Sequence, residues 1–375
     1  MILRIILYFI LACYISMFIT TSCESDIGSK DFLRILDFTT VEAKSVEQGN
    51  FSINILDFLN GPNLVQDQIL SLKRLEETYY ILTINQGVMM YRMGQNDSLY
   101  SLTNYGKGPE EVIYPSDIGI SSQRNYITIT DPGNRKLVTY DKEGKLIKEI
   151  IVNQWVKNGA LINESEMIYA GITNGSRMSE SEMSFKVLLF DSKGTVINRF
   201  SRFYRPYQAG MGNGLNLYRI DENTYGYYSM FTNNIYRLNT EGLEPYFQFN
   251  LSKPILPDSL IFPQIKGEVG LDEYVYFLSY FESNDHLVLT YELDRIKYWS
   301  IYDKQNQSIQ NWFIDRKEEC GTCNKIRIIG IDGSNLFAVV SSQMLELIAD
   351  AQLTDSLKIT IKNYEYQDFV IKLEI

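Results

Sequence analysis

Leu137-Val-Thr-Tyr-Asp-Lys-Glu-Gly-Lys-Leu-Ile-Lys-Glu-Ile150 reads as a strand, a glycine-containing turn and a returning strand. Asp and Gly supply the turn chemistry, and β-branched and aromatic residues fill the arms. Val187-Leu-Leu-Phe-Asp-Ser-Lys-Gly-Thr-Val-Ile-Asn-Arg-Phe200 repeats the unit, and Ile235-Tyr-Arg-Leu-Asn-Thr-Glu-Gly-Leu-Glu-Pro-Tyr-Phe247 is a third copy. Ser300 to Trp312 is a degenerate fourth that lacks the glycine, and Met90 to Tyr100 an earlier one. The aromatic residues that precede each turn are Tyr91, Tyr140, Phe190, Tyr236 and Tyr302, at spacings of 49, 50, 46 and 66. A period near fifty in a chain of strands predicts one four-stranded propeller blade per repeat. At about 50 to 55 residues per blade, residues 51–375 hold six blades. No Pro-, Ser- or Gly-rich linker divides that stretch, as two separate sandwiches would require. Ring closure predicts that a strand near Phe51–Leu56 pairs with Asp368–Ile375 and removes two free sheet edges. Helical periodicity is scarce; the best candidate is Leu64–Leu75, which reads equally as a loop.

Composition agrees with an all-β fold. The 375 residues include 27 Tyr and 19 Phe but only 9 Pro, a mix that favours strands. With 35 Lys and Arg against 46 Asp and Glu, the net charge is −11. That excludes a general nucleic-acid binder, which needs clustered cations. A single His argues against His-based metal sites and triads.

The amino terminus is an address. Arg4 precedes an apolar run, Ile5–Ile19, of about 22 Å as a helix, short of the roughly 30 Å hydrocarbon core. Residues 1–22 therefore read as a signal peptide. Thr20-Thr21-Ser22 before Cys23 resembles a lipobox, with Thr20 where Leu is usual. Cys23 is the expected lipidation site, through diacylglycerol and further acyl chains such as palmitate, and residues 23–50 the expected tether, with room for a first strand near Leu33–Phe38. Two or more acyl chains hold a protein on a membrane stably.

Asn104-Tyr-Gly-Lys-Gly-Pro-Glu-Glu-Val112, Tyr114-Pro-Ser-Asp-Ile118, Ile127-Thr-Ile-Thr-Asp131 and the hairpin at 137–150 together resemble the Bacteroidales-type six-bladed β-propeller lipoproteins. These are similar in shape to NHL-repeat and TolB-like propellers. Asn234-Ile-Tyr-Arg-Leu238 and Glu244-Pro-Tyr-Phe247 also resemble the family's fourth blade. The family pattern has Gly where Glu110 stands here, so that turn is built without one glycine. The resemblance implies an anchored propeller of the outer membrane and brings no reaction with it.

Other constellations have plain readings. Gly106–Glu111 lacks the spacing of a phosphate loop and fits an inter-blade turn. Cys320-Gly-Thr-Cys323 lacks two further zinc ligands and a thioredoxin-like context; in an oxidising envelope Cys320 and Cys323 are expected as a local disulfide, with free thiols as the alternative. His286, in Ser283-Asn-Asp-His286, is expected as a solvated surface residue. Asp131, Asn134, Asp221, Asn223, Asn233 and Asn234 raise the question of calcium, but Asx residues are also default turn formers. Phe203-Tyr-Arg-Pro-Tyr207 followed by Gly210–Gly214 breaks the blade rhythm. Tyr204, Arg205 and Tyr207 are the candidate ligand contacts, because Tyr and Arg favour recognition surfaces; the alternative is a long connection that packs its tyrosines against the sheet. No catalytic set, cofactor or metal site is assigned. The leading expectation is a non-catalytic binding or scaffolding module for a glycan, peptide or partner protein. The alternative is a calcium-dependent hydrolase or lyase, lactonase-like, acting at the propeller channel.

Overall fold

A computed structural model describes residues 34–46, 52–56, 69–84, 86–93, 99–121, 125–173, 185–202, 217–221, 223–228, 232–257, 260, 273–294, 296–314, 326–341, 345 and 368–375. These residues build a six-bladed propeller within the compact unit Asp31–Ile375. Three strands come first: β1 (Arg34–Asp37), β2 (Ala43–Ser45) and β3 (Ser52–Ile55). The first blade is β4 (Ile69–Leu75), β5 (Thr78–Thr83), β6 (Val88–Arg92) and β7 (Leu99–Ser101). A short parallel pair, β8 (Asn104–Tyr105) and β9 (Glu111–Val112), leads to the second blade: β10 (Asp117–Ile120), β11 (Ile127–Asp131), β12 (Lys136–Tyr140) and β13 (Leu146–Ile151).

The third blade is β14 (Val156–Asn163), β15 (Ile168–Thr173), β16 (Phe185–Phe190) and β17 (Val196–Arg202). The fourth is β18 (Leu217–Arg219), β19 (Tyr225–Tyr228), β20 (Asn234–Leu238) and β21 (Leu243–Asn250). The fifth is β22 (Tyr276–Glu282), β23 (His286–Leu293), β24 (Ile296–Asp303) and β25 (Ser308–Ile314). The last is β26 (Ile326–Asp332), β27 (Asn335–Ser341) and β28 (Asp368–Glu374). Its fourth strand is β3, with Ile371 opposite Ile55 and Leu373 opposite Ile53. The two ends of the chain thus share one blade, as ring closure requires.

Each sequence repeat is the outer hairpin of a blade: β6–β7, β12–β13, β16–β17, β20–β21 and β24–β25. Asp141 shows why the pattern is stable. Its carboxylate accepts the amides of Glu143 and Lys145, and Gly144 takes φ +88°, a left-handed conformation that costs glycine little. Asp191 does the same for Lys193 and Thr195. In the copy without glycine, Gln307 adopts φ 54°, at a cost of about 1–2 kcal/mol. Leu64–Leu75 holds no helix among the described residues; Ile69–Leu75 is β4, whose residues face the neighbouring blade.

Residues 34–45, which the sequence reading placed ahead of the propeller, extend two blades. β1 pairs in parallel with β21, and β2 with β25. Asn311 ties the link between them, donating to the carbonyls of Phe38 and Val41. The many tyrosines pack between blades: Tyr80, Tyr140, Tyr169, Tyr225, Tyr227, Tyr228 and Tyr280 are fully buried.

Candidate functional site

The first strand of every blade lines the axis, and a cavity of about 710 Å³ opens there. All but the third blade contribute at least one charged or phenolic side chain to its wall: Lys73 from β4, Asp117 from β10, Tyr218 from β18, Glu282 from β22 and Asp332 from β26. The third blade contributes Gly159 and Ala160, whose small size lets β10 and β14 pack closely. A Cβ on Gly119 would lie 2.3 Å from the Gly159 carbonyl oxygen, so only glycine fits there.

The ring is drawn in on one side. The Tyr225 hydroxyl lies 2.9 Å from the Ile120 carbonyl and 3.1 Å from that of Leu161. Arg219 donates to the Ser121 carbonyl at 3.3 Å. The second and fourth blades therefore touch directly across the third. In a six-bladed ring the first and fourth blades face each other. The Lys73 ammonium lies 3.6 Å from the centre of the Tyr218 ring, so this cation–π contact spans the axis.

Two carboxylates are buried in the wall, each 3% exposed. Burial pushes Asp117 above the usual carboxylate range, against the pull of Lys73. The same burial lowers Lys73 to about 8, with Asp117 opposing, and Lys157 likewise to about 8. Glu282 is also raised by burial, opposed by the ammonium of Lys304, which donates to its Oε1. Lys304 donates in addition to the Ser283 carbonyl at 2.7 Å. Tyr218 is raised well above the usual phenol range by burial and by Asp117.

Asp117 is held by the Asn158 side chain and by the amides of Ile118 and Gly159, and Glu282 by the Tyr246 hydroxyl; Asp117 Oδ1, the Tyr218 hydroxyl and Glu282 Oε2 are buried polar atoms of this wall. Each belongs to a buried residue that lines the cavity. Beside Glu282 Oε2 sits the Tyr280 hydroxyl; a Cβ on Gly226 would meet both, at 2.3 and 2.0 Å.

The sequence-derived candidates distribute differently. Cys23, Tyr204, Arg205, Tyr207, Cys320 and Cys323 lie outside the described residues. His286 corrects the expectation of a solvated residue. It is only 8% exposed, because it opens β23 next to the tight Ser283–Asp285 turn, where Ser283 accepts its amide and itself donates to the Gly333 carbonyl. The Asx residues serve turns and interior ties. Asp131 accepts the amides of Ile113, Tyr114, Gly133 and Asn134. Asn134 donates to the Gly106 carbonyl. Asp221 accepts the Asn223 amide, and of the six it alone lines the cavity. Among the described residues, no three His, Cys, Asp or Glu side chains are placed to hold a metal ion.

Gly106–Glu111 is a built turn between the first two blades. The Glu111 carboxylate accepts the Gly108 amide at 2.7 Å, and Lys136 donates to the Gly108 carbonyl and to Glu149. Glu110 sits at φ 62°, in the left-handed region, where the family pattern has glycine. Sequence reasoning missed the axial residues because each looks like one more member of a strand. The usable signal was an ionisable residue at the inner end of an apolar run: Asp117 before Ile118, and Glu282 after Phe281.

The profile of a family described as "Domain of unknown function (DUF4934)" matches residues 63–368. No curated protein matches the chain. Among solved structures, the chain is similar to a candidate exported protein of Bacteroides fragilis, with TM-score 0.71 at 17% identity over 91% of this chain and 99% of that one. It is also similar to a DUF4221-family member from Bacteroides vulgatus, with TM-score 0.51 at 10% identity over 87% of this chain and 96% of that one. At these identities the likeness is one of fold.

Proposed function

The chain belongs to the DUF4934 family, whose description assigns no reaction, and we propose that it is a non-catalytic binding or scaffolding module of the cell envelope whose ligand enters the axial cavity. One observation carries this reading. Lys73, Asp117, Tyr218 and Glu282, from four different blades, line one axial cavity of about 710 Å³ with charged and phenolic side chains. A concave wall that gathers a few polar groups among apolar ones is the form small-molecule sites take. The ligand is a glycan, a peptide or a segment of a partner protein. The loop bearing Tyr204, Arg205 and Tyr207 is a second contact in this proposal. Residues 1–22 direct export, and acylation of Cys23 holds the protein on the outer membrane. The similar candidate exported protein of Bacteroides fragilis agrees with export.

The test is a thermal-shift screen of the full-length chain in mild detergent against saccharides, peptides, esters and lactones, since binding to the native state raises the melting temperature. Saturable binding without turnover supports the module. Turnover of an ester or lactone, with stoichiometric calcium in the purified protein, would replace it with the calcium-dependent hydrolase or lyase. For the anchor, Cys23→Ser should abolish incorporation of labelled palmitate; incorporation into the variant would remove it.

A further inference from the structure

The cations of the axial wall are not equally engaged, and this inference rests on the binding reading above. Arg74 is paired with Asp332 at 3.2 Å, and Arg219 donates to the Ser121 carbonyl. Lys304 donates to Glu282 and to the Ser283 carbonyl. Lys73 lines the same cavity. Among the described residues no hydrogen bond or ion pair holds its ammonium, which meets the face of the Tyr218 ring instead. Asp117, whose charge it feels, is taken up by Asn158 and the amides of Ile118 and Gly159. Lys73 is only partly buried, and its Nζ is not among the sealed, unpartnered atoms of the interior. The amine is thus fixed, poorly solvated and reachable from the cavity.

A lysine attacks as a nucleophile only when neutral, and desolvation favours that form. Burial lowers Lys73 to about 8, against the pull of Asp117. At neutral pH its share of free amine is then on the order of a hundredfold that of an ordinary lysine. Contact with the Tyr218 face favours the ammonium and trims that gain. Carbonyl compounds are partners that such an amine takes without a leaving group or a co-reactant. The cavity of about 710 Å³ has room for a small molecule. Leu75, Ile118, Leu217, Ile220 and Ile331 give its wall apolar surface, which suits an apolar tail. Imine formation reverses in water, so capture by this route remains binding and consumes no ligand.

We propose that Lys73 is a covalent capture site for a small aldehyde with an apolar body, its amine adding to the carbonyl carbon to form an imine inside the axial cavity. The nitrogen lone pair forms the C–N bond while the carbonyl π pair moves to oxygen. Both N–H protons pass to that oxygen through water. The C–O bond then breaks, one water leaves, and the C=N bond remains. Nothing is oxidised or reduced.

Benzaldehyde with cyanoborohydride tests this on the full-length chain in mild detergent at pH 7, the reduced benzylamine adduct being located by peptide mass mapping. Lys73 should be labelled at least about tenfold faster than the exposed Lys145 and Lys193. Its rate should saturate with benzaldehyde, and the advantage should vanish in denaturant. Lys73→Arg keeps the charge and should leave only the slow surface labelling. Labelling of Lys73 no faster than of Lys145 and Lys193 overturns the capture site. So does a rate that stays linear in benzaldehyde, or an advantage that persists in denaturant. The binding reading fails separately. If Lys73 is unreactive but Lys73→Met weakens a ligand from the thermal-shift screen, axial binding stands without the imine. A screened ligand whose affinity neither Lys73→Met nor Asp117→Asn changes overturns the axial reading itself.

Discussion

Asp191 and Asp117 are the same residue type in two regions of one molecule, and they behave as opposites. Asp191 sits in the turn of an outer hairpin, accepts the amides of Lys193 and Thr195, and is held below the usual carboxylate range by those bonds. Asp117 opens the innermost strand of a blade and is pushed above that range by burial. Asp303, the last residue of β24, is shifted as Asp191 is, and Glu282, the last residue of β22, as Asp117 is. At the rim the backbone consumes the carboxylate and a hairpin results. On the axis burial outweighs the Ile118 and Gly159 amides and the Lys73 ammonium, and the carboxylate is pushed the other way. Burial, rather than residue type, sets the direction in which each acid is shifted.

The largest expected effect tests whether the axial acids depend on their cations. Lys304→Ala leaves Glu282 buried without its ammonium and should destabilise the protein by about 3–5 kcal/mol in denaturant unfolding. The pair Glu282→Gln with Lys304→Met, which removes both charges, should recover most of that loss. If the double variant is no more stable than Lys304→Ala, the pair is not the source of the cost.

A smaller effect is expected in the turn between the first two blades. Glu110 holds φ 62° with an ordinary side chain, so Glu110→Gly should stabilise by about 1 kcal/mol, seen as a raised melting temperature. A loss of stability would show that the Glu110 side chain matters to the turn more than its backbone strain.

The smallest effects separate the two groups of acids by pH. A carboxylate whose folded pKa is lowered contributes stability above its unfolded value that is lost as pH falls through the folded pKa. Asp191 and Asp303 belong to this class. A carboxylate raised by burial carries a penalty at neutral pH that is relieved as pH falls through its folded pKa. Asp117 and Glu282 belong to that one. Acidification from neutrality should therefore lower the melting temperature less in Asp191→Asn than in the parent, and more in Asp117→Asn. Equal slopes in both variants would erase the distinction.

The hairpins at 137–150, 187–200 and 235–247 were legible because their cause is local. A turn carboxylate, a glycine and alternating arms act within about a dozen residues, and their spacing predicts blades. Closure was legible for a related reason: a ring without free edges leaves the two end strands only each other, and β3 does pair with β28. β4 was misread because its apolar residues follow no clean alternation; they pack against neighbouring blades, and that environment is invisible within the segment. His286 was misread for the same kind of reason, since its burial comes from a turn packed against the next blade.

The chain alone therefore determined the blade, the repeat and the closure, because β-hairpin formation and binary patterning are written in adjacent residues. Only the tertiary structure decided that Lys73, Asp117, Tyr218 and Glu282 meet, since they lie on four strands up to 209 positions apart. No local rule couples such residues. They share an axis because six blades must pack into a ring, and there burial in low dielectric shifts the ionisation of ordinary strand residues.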